Sequence, residues 1–554
     1  MKSKLIIVLS IISFFVLLLL PKFAHVIDKG PPFRIYSITP FIKATYDYLP
    51  SETEKCESVH VSGTPGEYEP ATFSIYALSD LSDLSVSVSD LAGRSRKIPM
   101  EYIDVRVVKV WKQSGDDMWV GRPVDVPELL LYDDSVELKG RRPSIGAGKE
   151  IKTNIPRNTS KQFWVTVRIP DEAKAGEYKG NIHIICKGEI TKTLQMTVDV
   201  QPFKLAQPDK YFLIYYYSKL DPKRGASYEP PANFFRQLKN IREHGFTGAS
   251  IYSGDSYLNG ILMLYSILGF KSPIPYLGEA QDVKGICAMI KKNRYLPVLF
   301  YGIDEPNTPA KAEKCRVMFE RIKARGGRTM TAIRKKYADI IWDSIDVPNY
   351  SLCDEEIDRY IRGLNTGELK KNRKKELYYW QINKERPKTA RFMCGFYLWK
   401  SKLDGICPCG YQVYNIKDPY DDFTPFVEKG MKWRPHFVAY PSKEGPVDTL
   451  QWEACREGID DMKYIATLEN NIRLLNNKRK LLRLRNMKDN IKDVRISKIE
   501  KIINENTDAL RFIDGKIDVD CMKALSVLTE GDLADFRLIL IKEINKGIDE
   551  IRSN

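Results

Sequence analysis

From Tyr211 the chain alternates short apolar or aromatic runs with amphipathic helical patterns, and this alternation restricts the fold more than any other feature. "YFLIYYYS" precedes "PPANFFRQLKNIREHGF", "GASIYS" precedes "EAQDVKGICAMIKKNR", "YLPVLFYGIDEP" precedes "PAKAEKCRVMFERIKARGG", and "RTMTAI" follows. Strand, helix, strand at this spacing predicts parallel βα units, because a parallel neighbour is reached only by a crossover. Further strand-like runs in "ADIIWDSI", "KELYYWQI", "RFMCGFYLW" and "PHFVAYP" supply about the number that closes an eight-stranded barrel. The rival, an open doubly wound sheet, lacks its glycine-rich fingerprint after the first strand. The expectation is a (β/α)8 TIM-type barrel over residues 209–465.

The chain has 554 residues, too many for one ordinary core. Residues 34–208 carry "ATFSIYAL", "LSVSVSDL", "IDVRVVKVW", "QFWVTVRIP", "GNIHIICKG" and "KTLQMTVDVQPF", separated by Gly, Asp and Pro turn signals. Such spacing predicts an antiparallel β-sandwich, with no catalytic grouping of titratable residues. Residues 466–554 read as a C-terminal helical region. The fold class expected is therefore multidomain: β-sandwich, (β/α)8 barrel, helical segment.

The first thirty residues read as a signal peptide or signal anchor. Lys2 and Lys4 precede an uninterrupted apolar stretch from Leu5 to Leu20, which predicts export. No clear small-x-small cleavage site follows, and sixteen residues is short for a membrane span, so cleavage and anchoring both stay open. The net charge of +15 is concentrated in "RLLNNKRKLLRLRNMKDNIKDVRISKIEK", whose plain reading is a solvated helix face. Attraction to anionic glycans or a membrane surface is the sharper reading, and export argues against nucleic acid. Ten cysteines are scattered, only Cys407 and Cys409 being close-spaced, and His25, His60, His183, His244 and His436 stand apart from one another. Buried thiols or one or two disulfides fit better than a zinc site, and no metal or cofactor is expected.

One apolar run ends in two neighbouring carboxylates: "VLFYGIDEP" places Asp304 and Glu305 at a strand end, with Pro306 stopping the strand. In an α/β barrel, strand ends build the active site. The alternative is that the acids open the next helix, near its positive end. Adjacency also narrows the chemistry. Two carboxylates that attack a sugar from opposite faces do not come from one strand end, whereas neighbours suit a division of labour on one side. One acid donates to the leaving oxygen, and the other holds a 2-acetamido group whose oxygen replaces the enzyme nucleophile.

With these residues stand "RFMCGFYLWKSKLDGI", "YPSKEGPVDTLQWEACREGIDDMKYIATLE", "GEYEPATFSIYAL" and "KQFWVTVRIP". Together they resemble glycoside hydrolase family 123 and its uncharacterised relatives, over most of the chain. The resemblance implies a β-sandwich, a catalytic (β/α)8 barrel and retaining β-N-acetylgalactosaminidase chemistry through an oxazolinium intermediate, without metal. Carried over by position, Asp304 orients the acetamido group and Glu305 is the general acid/base. Asp461, the second Asp of "REGIDDMKY", is expected to be structural.

For the sugar pocket the strand-end reading of "LYYWQI" and "GFYLWKSK" offers Tyr378, Tyr379, Trp380, Tyr397, Trp399 and Lys400, of which Trp380, Tyr397 and Trp399 are expected to bind. Glu453, before the last barrel helix, is a further ligand contact. The basic "RGLNTGELKKNRKKELYY" and irregular "LDGICPCGYQVYNIKDPYDDF" loops set the choice of sugar, so GalNAc over GlcNAc rests on analogy. The partner expected is a glycan. A non-catalytic glycan-binding protein on the same frame and a retaining glycosidase with a separate carboxylate nucleophile remain the alternatives.

Overall fold

The computed structural model describes residues 32–553, apart from 52–54, 116–120, 253–254, 278–281, 296–297, 353–354, 372–373, 383–385, 414–417, 422, 424–433, 435 and 490–493. The expected signal segment lies outside the described residues. Among those described, no helix is long and apolar enough to cross a membrane.

The N-terminal region is built of two sheets. One orders Phe33–Ser37, Tyr68–Ala77, Ser160–Arg168, Ile103–Gln113 and Val124–Leu131, all antiparallel. The other orders Ser58–Gly63, Glu189–Val200, Gly176–Cys186, Leu81–Val88 and Thr153–Ile155, and its Ser58–Gly63 strand pairs in parallel. Facing residues such as Phe73, Phe163, Val165, Ile182 and Met196 share one core. The first sheet is buried on its other face too: Val108, Leu130 and Trp164 belong to the core of the following barrel. Burial on both faces explains why "QFWVTVRIP" reads as an apolar run, while Glu189–Val200, wet on one face, alternates.

The barrel strands are, in chain order, Tyr211–Ile214, Gly248–Ile251, Ile274–Pro275, Leu299–Tyr301, Arg328–Ile333, Val347–Ser351, Leu377–Tyr379 and Gly405–Ile406. Each pairs in parallel with its sequence neighbour, the eighth returns to the first, and a Tyr276–Tyr301 bridge joins the third and fourth. Parallel pairing sends every strand's C-terminal end to one rim. Alternate residues fill the lumen, among them Leu213, Tyr215, Leu299, Tyr301, Leu377 and Tyr379.

Three expected strands are corrected. "RFMCGFYLW" folds into two helices, Pro387–Cys394 and Phe396–Ser401, and every residue of that run except Trp399 is buried, so neither a helical nor a strand period shows. "ADIIWDSI" is a helical end and turn, and the strand lies just beyond, disguised by Pro348. "PHFVAYP" forms strands outside the barrel, at His436–Phe437 and Ala439–Pro441. The two-residue third and eighth strands supply the missing places.

The last barrel helix, Leu450–Asp489, runs 40 residues and continues through the border expected at 465–466. Val494–Lys516 and Glu530–Arg552 pack beside it, and Cys521–Val527 lies between those two in the chain, its Leu525 carbonyl accepting from Lys388. The "REGIDDMKY" motif makes this joint. Arg391 grips Asp461 at 2.8 and 3.1 Å, and Arg537 reaches Asp461 and Glu457, each at 2.6 Å. Asp461 is wholly buried in this clamp, a structural position.

Candidate active site

After Tyr301 the fourth strand turns outward through Gly302, where an added Cβ would meet the Phe319 ring at 2.4 Å. Asp304 and Glu305 follow at the rim, exposed as whole residues but with the Asp304 carboxyl turned, in a part-buried hydrogen bond, onto the tyrosine hydroxyl beneath it. Neither caps the next helix: Thr308 does, its side chain accepting the Lys311 N–H at 3.2 Å. That sets aside the helix-start explanation of the acids. Glu305 adopts a left-handed backbone, φ 42°, unfavourable by about 1–2 kcal/mol for a residue with a Cβ. Pleating sends neighbouring side chains to opposite faces, and this turn instead lets both carboxylates reach tyrosines of the lumen.

Each acid has its own phenol. Tyr301 donates to Asp304 Oδ1 at 2.5 Å, and Tyr379, on the seventh strand, donates to Glu305 Oε1 at 2.5 Å. Desolvation among the tyrosines pushes the Asp304 carboxyl above its ordinary pKa; the Tyr301 hydrogen bond pulls it down, and the Glu305 charge pushes it up. Burial likewise raises Tyr301 and Tyr379, so both phenols keep their protons.

Beside the pair, Tyr217, Tyr252 and Tyr276 stack along the rim of the first three strands, with ring centroids 4.6 and 5.2 Å apart. The stacked rings cover one another's faces, so this half-buried row can meet a sugar through its outer faces, edges and hydroxyls. Sequence reasoning missed these three and Tyr301. The signal was present in "YFLIYYYS": once Leu213 is known to face the lumen, Tyr215 and Tyr217 face it too. Cys407 and Cys409 follow the eighth strand into the same wall, where burial raises both thiols, Cys409 to about 12. No two of the nine described cysteines are joined in a disulfide.

The other expected binding residues lie elsewhere. Trp380 shares the outward face of its strand with Tyr378 and packs in the outer core, while Tyr379 takes the inward position beside Glu305. Tyr397 and Trp399 are on a helix rather than a strand end. Tyr397 is buried and donates to the Val519 carbonyl at 3.2 Å, Trp399 donates to Glu469 at 3.0 Å, and Lys400 bonds Asp514 at 2.9 Å. Glu453 is held by Arg456 and, at 3.2 Å, by His244, in the wall of another cleft of about 810 Å³ whose lining includes neither Asp304 nor Glu305.

The fold does bring His244 to acids that the sequence keeps distant. Its ligand atom and those of Asp448 and Glu453 lie within 4.8 Å of one another, a set with the spacing to hold a cation. Arg456 on Glu453 and the Arg106 charge near Asp448 already balance these acids.

Residues 46–185 match the glycoside hydrolase 123 N-terminal domain, and residues 287–468 match the glycoside hydrolase 123 catalytic domain. Among solved structures, a family 123 glycoside hydrolase from Clostridium perfringens, described for glycolipid glycan hydrolysis, superposes with a TM-score of 0.63. It is 13% identical, over 94% of this chain and 99% of that one. A family 39 glycoside hydrolase from Bacteroides cellulosilyticus gives a TM-score of 0.32 at 12% identity, over 65% of this chain and 81% of that one. No curated protein matches in sequence.

Proposed function

The chain belongs to glycoside hydrolase family 123, and from that premise we propose that it is an exported, retaining β-N-acetylhexosaminidase whose nucleophile is the substrate's own acetamido oxygen. The observation that carries this reading is the pair of adjacent carboxylates at one strand end, each served by its own lumen tyrosine. Glu305 donates its proton to the glycosidic oxygen as the C1–O bond breaks. The acetamido oxygen then closes on C1, and Asp304 accepts the amide N–H and balances the oxazolinium charge. Water, deprotonated by Glu305, adds to C1 and reopens the ring with net retention. Tyr217, Tyr252 and Tyr276, stacked on one another beside the acids, line the sugar site.

A β-linked GalNAc-type terminus is the substrate this reading favours, and the glycan of a glycolipid is the first natural candidate. Nucleic acid has no place in it. Export rests on the basic and apolar start of the sequence.

Wild type and Glu305→Gln are to be assayed on aryl β-N-acetylgalactosaminide and glucosaminide. Loss of at least about 10²-fold in kcat for Glu305→Gln is expected, with inhibition of wild type by a thiazoline mimic of the oxazolinium. Absence of Glu305-dependent hydrolysis across a glycoside panel would leave a glycan-binding protein. Activity insensitive to the thiazoline would point to a separate carboxylate nucleophile.

A further inference from the structure

Behind Asp304 lies a chain of buried polar groups that none of the steps above uses. Asn349, wholly buried on the sixth strand, directs its amide nitrogen to the Tyr215 hydroxyl at 3.1 Å and to the Cys407 carbonyl at 3.4 Å. The carbonyl fixes the amide's orientation, since an amide oxygen would face it lone pair to lone pair. Tyr215 in turn donates to the Tyr301 hydroxyl at 3.2 Å, and Tyr301 also receives the Ala332 N–H at 3.2 Å.

Counting protons gives this chain a direction. A phenol has one hydrogen and two lone pairs. Both lone pairs of Tyr301 are engaged, by Tyr215 and by Ala332, so its single proton points to Asp304. Tyr215 accepts from Asn349 and donates its proton to Tyr301 at 3.2 Å, the Cys407 thiol being the other group within reach of its hydroxyl. Each donor is polarised by the one behind it, and the sequence ends on a group that has only to accept.

We propose that Asn349, Tyr215 and Tyr301 form a one-way hydrogen-bond relay that keeps the negative charge of the acid pair on Asp304 and leaves the shared proton to Glu305. The inference rests on the roles proposed above for the two acids and adds what assigns them. Two adjacent carboxylates titrate as a pair, and desolvation by the tyrosines favours the proton on Asp304, so the relay acts against that desolvation to leave the proton to Glu305. Among the described residues, the groups facing Asp304 are Glu305 on its own segment, Tyr301 on the fourth strand, Tyr215 and Tyr217 from the first, Tyr252 from the second, Tyr379 from the seventh and Cys409 after the eighth. Among the described residues all but Glu305 are neutral acids held protonated by burial, so hydrogen bonding supplies the bias there. Tyr379 serves Glu305, but the deep cascade stands behind Asp304. Asn349 and Tyr215 touch neither substrate nor the reacting atoms and are positioning residues.

Tyr215→Phe and Tyr301→Phe keep shape and remove one link each. The acidic limb of kcat/KM against pH reports ionisation of Asp304, and it is expected to move upward by about one pH unit in Tyr301→Phe. In Tyr215→Phe the shift is smaller and of the same sign, with the alkaline limb unmoved in both. A second readout needs no turnover: the carbon-13 carboxyl titration of Asp304, assigned by its loss in Asp304→Asn, shows the same upward shift in Tyr215→Phe. Midpoints equal to wild type in both variants overturn the relay, whether or not rates fall. Wild type inactive on every glycoside overturns the proposed function instead, and the carboxyl titration still decides the relay.

Discussion

At the scale of single residues, the left-handed turn at Glu305 and the desolvated carboxyl at Asp304 are unfavourable features placed side by side. Their linkage to stability has a definite sign. Burial holds the folded-state pKa of Asp304 above its unfolded value, so the folded chain binds that proton more tightly than the unfolded chain. The charge therefore destabilises above the folded pKa and has no effect below the unfolded one. Asp304→Asn is expected to raise the thermal midpoint at pH 7, to leave it unchanged near pH 3, and to remove glycosidase activity. An equal gain at both pH values would assign the effect to packing. The same scale shows where alternation was misapplied: Tyr379 and Trp380 are neighbours in an aromatic run, and only the register of Leu377 in the lumen selects Tyr379.

At the scale of elements, the helix pair Pro387–Cys394 and Leu450–Asp489 packs backbone to backbone. A Cβ on Gly458 would lie 2.2 Å from the Arg391 carbonyl and 2.7 Å from Cys394 Cβ, and one on Gly395 would lie 2.5 Å from the Gly458 carbonyl. Gly458→Ala is expected to destabilise by roughly 2–3 kcal/mol, lowering the thermal midpoint by about 2–3 °C in a chain of this length. Gly515 is the contrast. It sits exposed in Val494–Lys516 with nothing near its missing Cβ, so Gly515→Ala should gain up to about 1 kcal/mol. Thermal melts of the two variants test whether close approach, not glycine as such, explains the motif. Expecting a strand at "RFMCGFYLW" failed at this scale because a helix pressed on all sides loses its polar face.

At the scale of the whole molecule, the N-terminal sheets, the barrel and the C-terminal helices share buried charge and buried apolar surface. Arg537, on the last helix, bonds Asp461 and Glu457 at 2.6 Å and reaches Glu69 of the N-terminal sheets at 3.4 Å. Tyr464 donates to Glu67 at 2.9 Å across the same joint. Replacing Arg537 by Met leaves buried Glu457 and Glu69 without their cation and Asp461 with Arg391 alone, and a loss of about 3–5 kcal/mol is expected in chemical denaturation. Because Trp164 and Val108 lie in the barrel's core cluster, residues 209–465 alone should expose that surface and aggregate. A soluble, monomeric 209–465 fragment would show instead that the contact is dispensable.

The sequence by itself determined the alternation of strand and helix, the β-rich start, and the acid pair at a strand end. These are local in the chain: periodicity, turn residues and a proline record them directly. The tertiary structure decided which tyrosines join the acids, since Tyr215, Tyr217, Tyr252, Tyr276, Tyr301 and Tyr379 come from five strands and meet only when the barrel closes. It also decided that Thr308, rather than either acid, caps the helix, and that two-residue strands count as strands at all, because pairing with neighbours distant in the chain defines them. Pair register and ring closure are long-range quantities, and no window of sequence contains both partners.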